Sequence, residues 1–113
     1  DCLRWAAHRI GQELRTHEGA VLARFGGEEF VVVLPGRDLG SAVNIAESLR
    51  RKLVDEPCLS GTHRLRVSAS IGVHTVDPDS GTTSDAALSV ADQALYAAKA
   101  NGRDCVRTAI TAA

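Results

Sequence analysis

The segment with the clearest capacity for chemistry is a diglycine followed by two adjacent carboxylates, Gly26-Gly27-Glu28-Glu29. Glycines at a turn carry no Cβ atom, so the phosphates of a ligand can approach the backbone N–H groups closely. Successive side chains of a strand face opposite sides, so only one of the two carboxylates can face such a ligand. Mg²⁺ prefers one or two carboxylates together with substrate phosphates. The segment is therefore a candidate metal and phosphate site, or a hairpin whose acidic end is simply solvated.

A second candidate site is basic and lies near the carboxyl end of the chain. Lys99 and Arg103 are four positions apart, where Gly102 turns the chain at the end of a predicted helix. Lysine supplies a point charge and arginine a planar fork of donors, and both suit a triphosphate. The same placement also complements the negative end of a helix dipole, so the residues alone leave both interpretations open.

The elements that must position these residues follow from hydrophobic periodicity. Apolar residues at helical spacing predict helices at 2–16, 42–54 and from Ser84 to about 100. Apolar runs and period-two alternation predict strands at 21–25, 30–34, 65–76 and 105–106. We expect Ser41 to cap the second helix, Gly26-Gly27 to form a two-residue hairpin turn, and the strand at 30–34 to be buried on both faces. The order α-β-β-α-β-α-β predicts an α/β (α+β) fold, a ferredoxin-like sandwich with helices flanking a central, mainly antiparallel sheet.

Composition bounds the class of protein. The chain has 113 residues, 44% of them hydrophobic, with 13 basic and 14 acidic residues and a formal net charge of -1. This is the size of one globular domain, and the charge balance gives no basic surface for nucleic acid or for direct contact with an anionic membrane. The longest apolar runs are far too short to span a bilayer. One Trp, one Tyr and two Phe also give little scope for a sheet that stacks RNA bases.

The cysteines are three in number and widely separated: Cys2, Cys58 and Cys105. Their spacing matches no metal-binding pattern. We therefore expect small buried or half-buried free thiols in a reducing cytosol.

Three stretches of the chain resemble the signatures of one family, the GGDEF domains that form the catalytic part of diguanylate cyclases. They are RFGGEEF at 24–30, SIGV at 70–73 and ADQALYAAKANGR at 91–103. They follow one another in the family's order, and the resemblance covers essentially all 113 residues. It implies a single GGDEF domain over 1–113 with the nucleotidyl-cyclase form of the ferredoxin-like sandwich.

The resemblance also implies an activity. GGDEF domains condense two GTP molecules into cyclic di-GMP with release of pyrophosphate, a step in bacterial second-messenger signalling, and each domain of an antiparallel homodimer holds one substrate. It further implies Mg²⁺ or Mn²⁺ as cofactor, a cytoplasmic location and an upstream sensor domain. The alternative is a non-catalytic GGDEF module that binds GTP or dimerises and regulates an attached domain.

Roles for individual residues come from the same resemblance. Glu28 would bind the metal ion and take the proton of the attacking hydroxyl, and Glu29 belongs to the same catalytic signature. Lys99 and Arg103 would hold the terminal phosphates. Leu3 corresponds to the apolar residue that the family places against guanine, although an ordinary core leucine is an equal interpretation. The full substrate-binding set is Gly26, Gly27, Lys99, Arg103 and Leu3.

The sequence departs from the family pattern in two places. The family begins with a strand that bears a second metal-binding Asp, followed by a segment that reads guanine, and neither is found in these residues. We therefore expect the 113 residues alone to be inactive. The family's product-inhibition site is an Arg-x-x-Asp, but the corresponding window, 17–20, reads His-Glu-Gly-Ala, so we expect no inhibitory product site here.

Overall fold

The computed structural model describes residues 2–24 and 29–108, of which Arg24 and Pro78 are described by their backbones only. This part of the chain has a mixed α/β structure, in agreement with the predicted class. Its helices and strands are α1 Cys2–Leu14, β1 Val21–Arg24, β2 Phe30–Val33, α2 Leu39–Asp55, β3 Cys58–Ser60, β4 His63–Leu65, β5 Ile71–Val73, α3 Ser84–Ala100 and β6 Val106–Thr108. A short 3-10 helix, Pro78–Ser80, precedes α3.

The described strands pair two by two, in two compact units. The first unit comprises Asp1–Gly36 and Arg51–Val67, and the second comprises Arg37–Arg50 and Ser68–Ala113. β1 pairs with β2 and β3 with β4, both antiparallel, in the first unit, and β5 pairs with β6 in parallel in the second. Each unit therefore contributes a helix packed on short strands.

In the first unit, α1 buries the apolar stripe that its spacing predicts. Ala6, Ile10 and Leu14 are buried, and the helix contacts β1 and β3. The helix ends at Leu14 rather than at residue 16, because a turn closed by the His17 N–H donating to the Leu14 carbonyl (3.0 Å) follows it. Gly19, with φ of 77°, then leads the chain towards β1.

The two predicted strands form the antiparallel β1–β2 hairpin, but their predicted burial is corrected. Its ladder runs from Val21↔Val33 to Arg24↔Phe30. Val33 is 53% exposed and the other β2 residues are half-buried, so the prediction that this strand is buried on both faces was wrong. An antiparallel pair needs only one covered face, whereas continuous burial belongs to central parallel strands. The predicted two-residue turn at 26–27 lies outside the described residues.

The β3–β4 hairpin was not predicted. It pairs Cys58 with Leu65 and turns at Gly61, which has φ of 61°. Period-two alternation predicts one strand over 65–76, but only Ile71–Val73 in that range is a strand beyond Leu65. Alternating side chains persist through 66–70, yet a strand exists only where a partner accepts its backbone hydrogen bonds.

A disulfide between Cys2 and Cys58 ties the first turn of α1 to β3, with the two Cα atoms 5.9 Å apart. The prediction of three free thiols was therefore wrong for this pair, while Cys105 is free. Because 56 positions separate the two half-cystines, their proximity is a property of tertiary packing that sequence spacing does not reveal.

In the second unit, α3 connects the parallel strands β5 and β6 and packs against both. Ala94 and Ala98 form its buried face. A Cβ atom on Gly72 would collide with the Ala91 carbonyl oxygen and the Leu95 nitrogen of α3. The glycine of the SIGV stretch therefore allows the helix backbone to lie directly against β5.

Side-chain caps set the starts of α2 and α3. α3 begins at Ser84, as predicted, and the Thr83 hydroxyl accepts a hydrogen bond from the Ala86 N–H. α2 begins at Leu39, earlier than predicted, because Asp38 and not Ser41 supplies the cap: the Ser41 N–H donates to Asp38 Oδ1 over 2.8 Å. This bond is the main reason that the pKa of Asp38 lies below its ordinary value.

Candidate functional site

The two predicted phosphate-binding cations lie together at the carboxyl end of α3, in the second unit. Lys99 is in the last turn of the helix and Arg103 is in the turn that follows, and both are exposed. Within residues 2–24 and 29–108 neither side chain forms an ion pair or a hydrogen bond. Two exposed cations that have no partner among these residues keep their donors available for an anionic ligand.

The turn that carries Arg103 has an unusual backbone. Three successive residues have positive φ: Gly102 (101°), Arg103 (60°) and Asp104 (44°). Glycine adopts this conformation freely, whereas a residue with a Cβ atom does so at a cost of about 1–2 kcal/mol. The Arg103 N–H donates to the Ala98 carbonyl over 3.0 Å, which closes the turn onto the last turn of α3.

A network of ion pairs anchors the same turn. Arg50 of α2 donates from Nη1 to Asp104 Oδ1 (3.0 Å), and from Nε and Nη2 to the two carboxylate oxygens of Glu47, both at 3.0 Å. The hydrogen bonds that Arg50 donates to Glu47 and, to a lesser extent, to Asp104 raise the pKa of Arg50 above its ordinary value. None of these three residues belongs to the candidate sites predicted from the sequence. The spacing of Glu47 and Arg50 on one helix face was a visible signal, but the contact with Asp104 was not.

Part of the acidic candidate site can be described, in the first unit. Glu29 is exposed and directly precedes β2, at the point where the β1–β2 ladder ends. Gly26, Gly27 and Glu28 lie outside the described residues. Their predicted contacts with phosphate and metal therefore stay predictions.

The chemistry of the acidic segment fits the implied metal ion. Carboxylate oxygens are hard ligands of the kind that Mg²⁺ and Mn²⁺ take from proteins. Within residues 2–24 and 29–108, no group of three or more His, Cys, Asp and Glu side chains is placed to hold a metal ion. The assignment of the metal to Glu28 stays a prediction.

Leu3 belongs to α1, in the first unit, beside the disulfide-bonded Cys2. It is half-buried, in contrast to the buried Ala6, Ile10 and Leu14 of the same helix. A half-buried leucine fits a contact with a planar base as well as it fits the margin of a core, so its role stays a prediction.

No helix in the described part of the chain combines the length and the apolar character needed to cross a bilayer.

The segment 17–20, which corresponds to the predicted position of the product-inhibition residues, forms a turn in which the Ala20 N–H donates to the His17 carbonyl over 3.2 Å. No guanidinium or carboxylate occupies its first and last positions.

Comparison with known proteins identifies the family. The family model "Diguanylate cyclase, GGDEF domain" matches residues 1–105. The response regulator PleD of Caulobacter vibrioides is 38% identical over 108 residues, which are 94% of this chain and 23% of that protein. The chain therefore belongs to the GGDEF family, and it spans about a quarter of the length of this relative.

Solved structures agree with this assignment. The GGDEF domain of YfiN, also named TpbB, from Pseudomonas aeruginosa superposes with a TM-score of 0.85 at 31% identity, covering 98% of this chain and 68% of that one. The GGDEF domain of DgcB from Caulobacter crescentus, solved in complex with c-di-GMP, gives a TM-score of 0.84 at 27% identity, covering 94% of this chain and 61% of that one. The predicted fold family is thus confirmed.

Proposed function

We propose that this chain belongs to the catalytic domain of a diguanylate cyclase, and that the complete domain condenses two GTP molecules into cyclic di-GMP and releases pyrophosphate. The observation that carries the proposal is the pair of exposed cations at the end of α3, Lys99 and Arg103, which have no partner within the described ranges. Membership of the GGDEF family supports the same conclusion.

The chemistry assigns a task to each candidate residue. The 3′-hydroxyl of one GTP attacks the α-phosphate of the other; a new oxygen–phosphorus bond forms, and the bond to the β-phosphate breaks. Lys99 and Arg103 hold the β- and γ-phosphates of GTP by charge-assisted hydrogen bonds. Glu28 takes the proton of the attacking hydroxyl and would hold Mg²⁺ or Mn²⁺, and Glu29 belongs to the same catalytic signature. When bound, the ion neutralises phosphate charge.

The remaining assignments concern the substrate-binding residues, the oligomeric state and the cellular location. Gly26 and Gly27 allow the phosphates to approach the backbone, and Leu3 contacts the guanine base. Because each domain holds one GTP, turnover requires an antiparallel homodimer, and an upstream sensor domain would control this pairing. GTP is a cytoplasmic substrate, so we place the domain in the bacterial cytoplasm.

Replacement of the proposed metal ligand tests the function directly. Glu28→Gln keeps the shape of the side chain and removes its charge, so we expect cyclic di-GMP production from GTP and Mg²⁺ to fall by at least about 100-fold. Glu56→Gln is the matched control, since Glu56 is an exposed carboxylate that pairs with Arg9 at 3.3 Å. The control should retain normal turnover; a near-normal rate for Glu28→Gln would contradict the proposal.

The same assay separates the two candidate functions. GTP binding without turnover in the full-length protein would indicate a regulatory GGDEF module instead of a cyclase.

Two further expectations stay predictions. The 113 residues alone should produce no cyclic di-GMP, and calorimetry should find no tight binding of cyclic di-GMP that depends on His17.

A further inference from the structure

Arg103 is presented by a short connection that several hydrogen bonds hold in place. Five residues, 101–105, separate α3 from β6. The Ala98 carbonyl accepts the Arg103 N–H at 3.0 Å and the Cys105 thiol at 3.3 Å. The Cys105 carbonyl accepts the Ile71 N–H at 2.9 Å, which joins the connection to β5. A further anchor is the hydrogen bond that the Asp104 carboxylate accepts from Arg50 Nη1.

That anchor is rigid because the arginine is itself oriented. Glu47 accepts two parallel hydrogen bonds from Nε and Nη2, which fix the plane of the guanidinium. The third donor, Nη1, then points at Asp104. The Arg50 side chain is 19% exposed, against 42% for Asp104, so the arginine is the more enclosed partner.

The bond between Arg50 and Asp104 acts on two residues whose backbone has the left-handed conformation. Arg103 and Asp104 both have positive φ, which their Cβ atoms disfavour. Asp is one of the few residues with a side chain that tolerates this conformation, and its carboxylate is the group that Arg50 holds. Strained backbone that is maintained by its surroundings is frequent at functional sites. Here it lies beside an exposed arginine with no side-chain partner in the described ranges.

We propose that Arg50, oriented by Glu47, is a positioning residue that acts through Asp104 to hold the left-handed turn from which Arg103 reaches the phosphates of GTP. This inference rests on the proposed function. Arg50 does not touch the substrate. Its contribution is to fix one conformation of the turn before GTP binds, so its loss raises KM while the chemical step is largely unaffected.

Kinetics of the full-length protein test this role. Arg50→Gln should raise KM for GTP about tenfold, the effect of losing one charge-assisted hydrogen bond, with kcat within about twofold of the wild-type value. Binding of a non-hydrolysable GTP analogue, measured by calorimetry, should weaken by the same factor. Arg51→Gln, which removes the same charge from the next position of α2, is the control and should leave both values unchanged. An unchanged KM for Arg50→Gln would overturn the proposal.

Variants of Asp104 keep the test valid if Arg50→Gln does not fold. Asp104→Asn still accepts a hydrogen bond and tolerates positive φ, so KM should stay within about twofold to threefold of the wild-type value. Asp104→Ala lacks the acceptor and should raise KM about tenfold. Equal KM values for Asp104→Ala and wild type would overturn the proposal.

A double-mutant cycle separates this inference from the proposed function. In an Arg103→Gln background, Arg50→Gln should have no further effect on KM, because the group that it positions is gone. A second tenfold increase in this background would show that Arg50 acts independently and would overturn the positioning role. If Arg103→Gln alone leaves KM unchanged, the proposed phosphate contact fails, and the positioning role fails with it.

Discussion

At the scale of single residues, the carboxyl ends of α2 and α3 each carry a lysine, but the two lysines have different surroundings. Lys52 and Lys99 both lie in the last turn of a helix. Lys52 has Glu13 3.9 Å away, whereas Lys99 has no partner in the described ranges. A lysine that only complements a helix dipole binds no ligand. Variants at these two positions can therefore distinguish that role from phosphate binding.

We expect Lys99→Gln to raise KM for GTP about tenfold, because the variant loses a charge-assisted contact with a terminal phosphate. Lys52→Gln should leave KM unchanged and alter the free energy of unfolding by less than about 1 kcal/mol, as is usual for an exposed ion pair. Steady-state kinetics and thermal unfolding of both variants provide the measurement. Identical behaviour of the two would assign Lys99 to the helix dipole alone.

At the scale of secondary-structure elements, the packing of α3 on β5 depends on a missing side chain. Gly72 faces backbone atoms of Ala91 and Leu95, which cannot move aside as a flexible side chain could. Gly72→Ala should therefore lower the free energy of unfolding by about 1–3 kcal/mol, the usual cost of overpacking a core. Urea titration followed by circular dichroism is the measurement.

Gly11 supplies the matched control for that substitution. It lies in α1, and a Cβ atom there would meet nothing within 4 Å. Gly11→Ala should raise the free energy of unfolding by about 0.5–1 kcal/mol, since alanine is the better helix former. Equal effects of the two substitutions would contradict the assigned contact between Gly72 and α3.

The start of α2 should respond to pH. Because the Ser41 N–H bonds to the Asp38 carboxylate, the pKa of Asp38 is lower in the folded than in the unfolded chain. Its stabilising effect is complete above the unfolded value of about 3.9 and is lost as the pH falls through the lower folded value. The difference in melting temperature between wild type and Asp38→Ala should thus be constant above about pH 5 and shrink below about pH 3. A difference that stays constant down to pH 2 would rule out this cap.

At the scale of the whole molecule, the disulfide is the largest departure from expectation. It closes a loop across 56 positions, and Cys58 is buried. A crosslink over such a loop typically contributes about 2–4 kcal/mol, mainly by restricting the unfolded chain. The reducing cytosol that we propose for this domain would favour the two thiols, so stability should depend on redox conditions.

Addition of dithiothreitol should lower the melting temperature by about 10 °C. Cys105→Ser should keep this sensitivity, because Cys105 takes no part in the disulfide. Cys58→Ser should abolish it. A reductant effect that persists in Cys58→Ser would show that the Cys2–Cys58 bond is not its source.

The local pattern of residues was sufficient for several features of this protein. Helix periodicity located α1 and α3, and apolar runs located β1 and β2 within one residue. The signature stretches at 24–30, 70–73 and 91–103 predicted the family that comparison confirmed. These features depend on neighbours within a turn or two of the chain, or on motifs that are contiguous in sequence.

The amino-acid sequence by itself thus determined the family, the fold class and the positions of the two exposed cations. Tertiary structure alone decided the Cys2–Cys58 disulfide, the hydrogen bond of Arg50 to Asp104 across 54 positions, and the exclusion of a side chain at Gly72. Each of these joins parts of the chain that are remote in sequence. No local pattern encodes such contacts, because they exist only once the chain has folded and brought the two partners within a few ångströms.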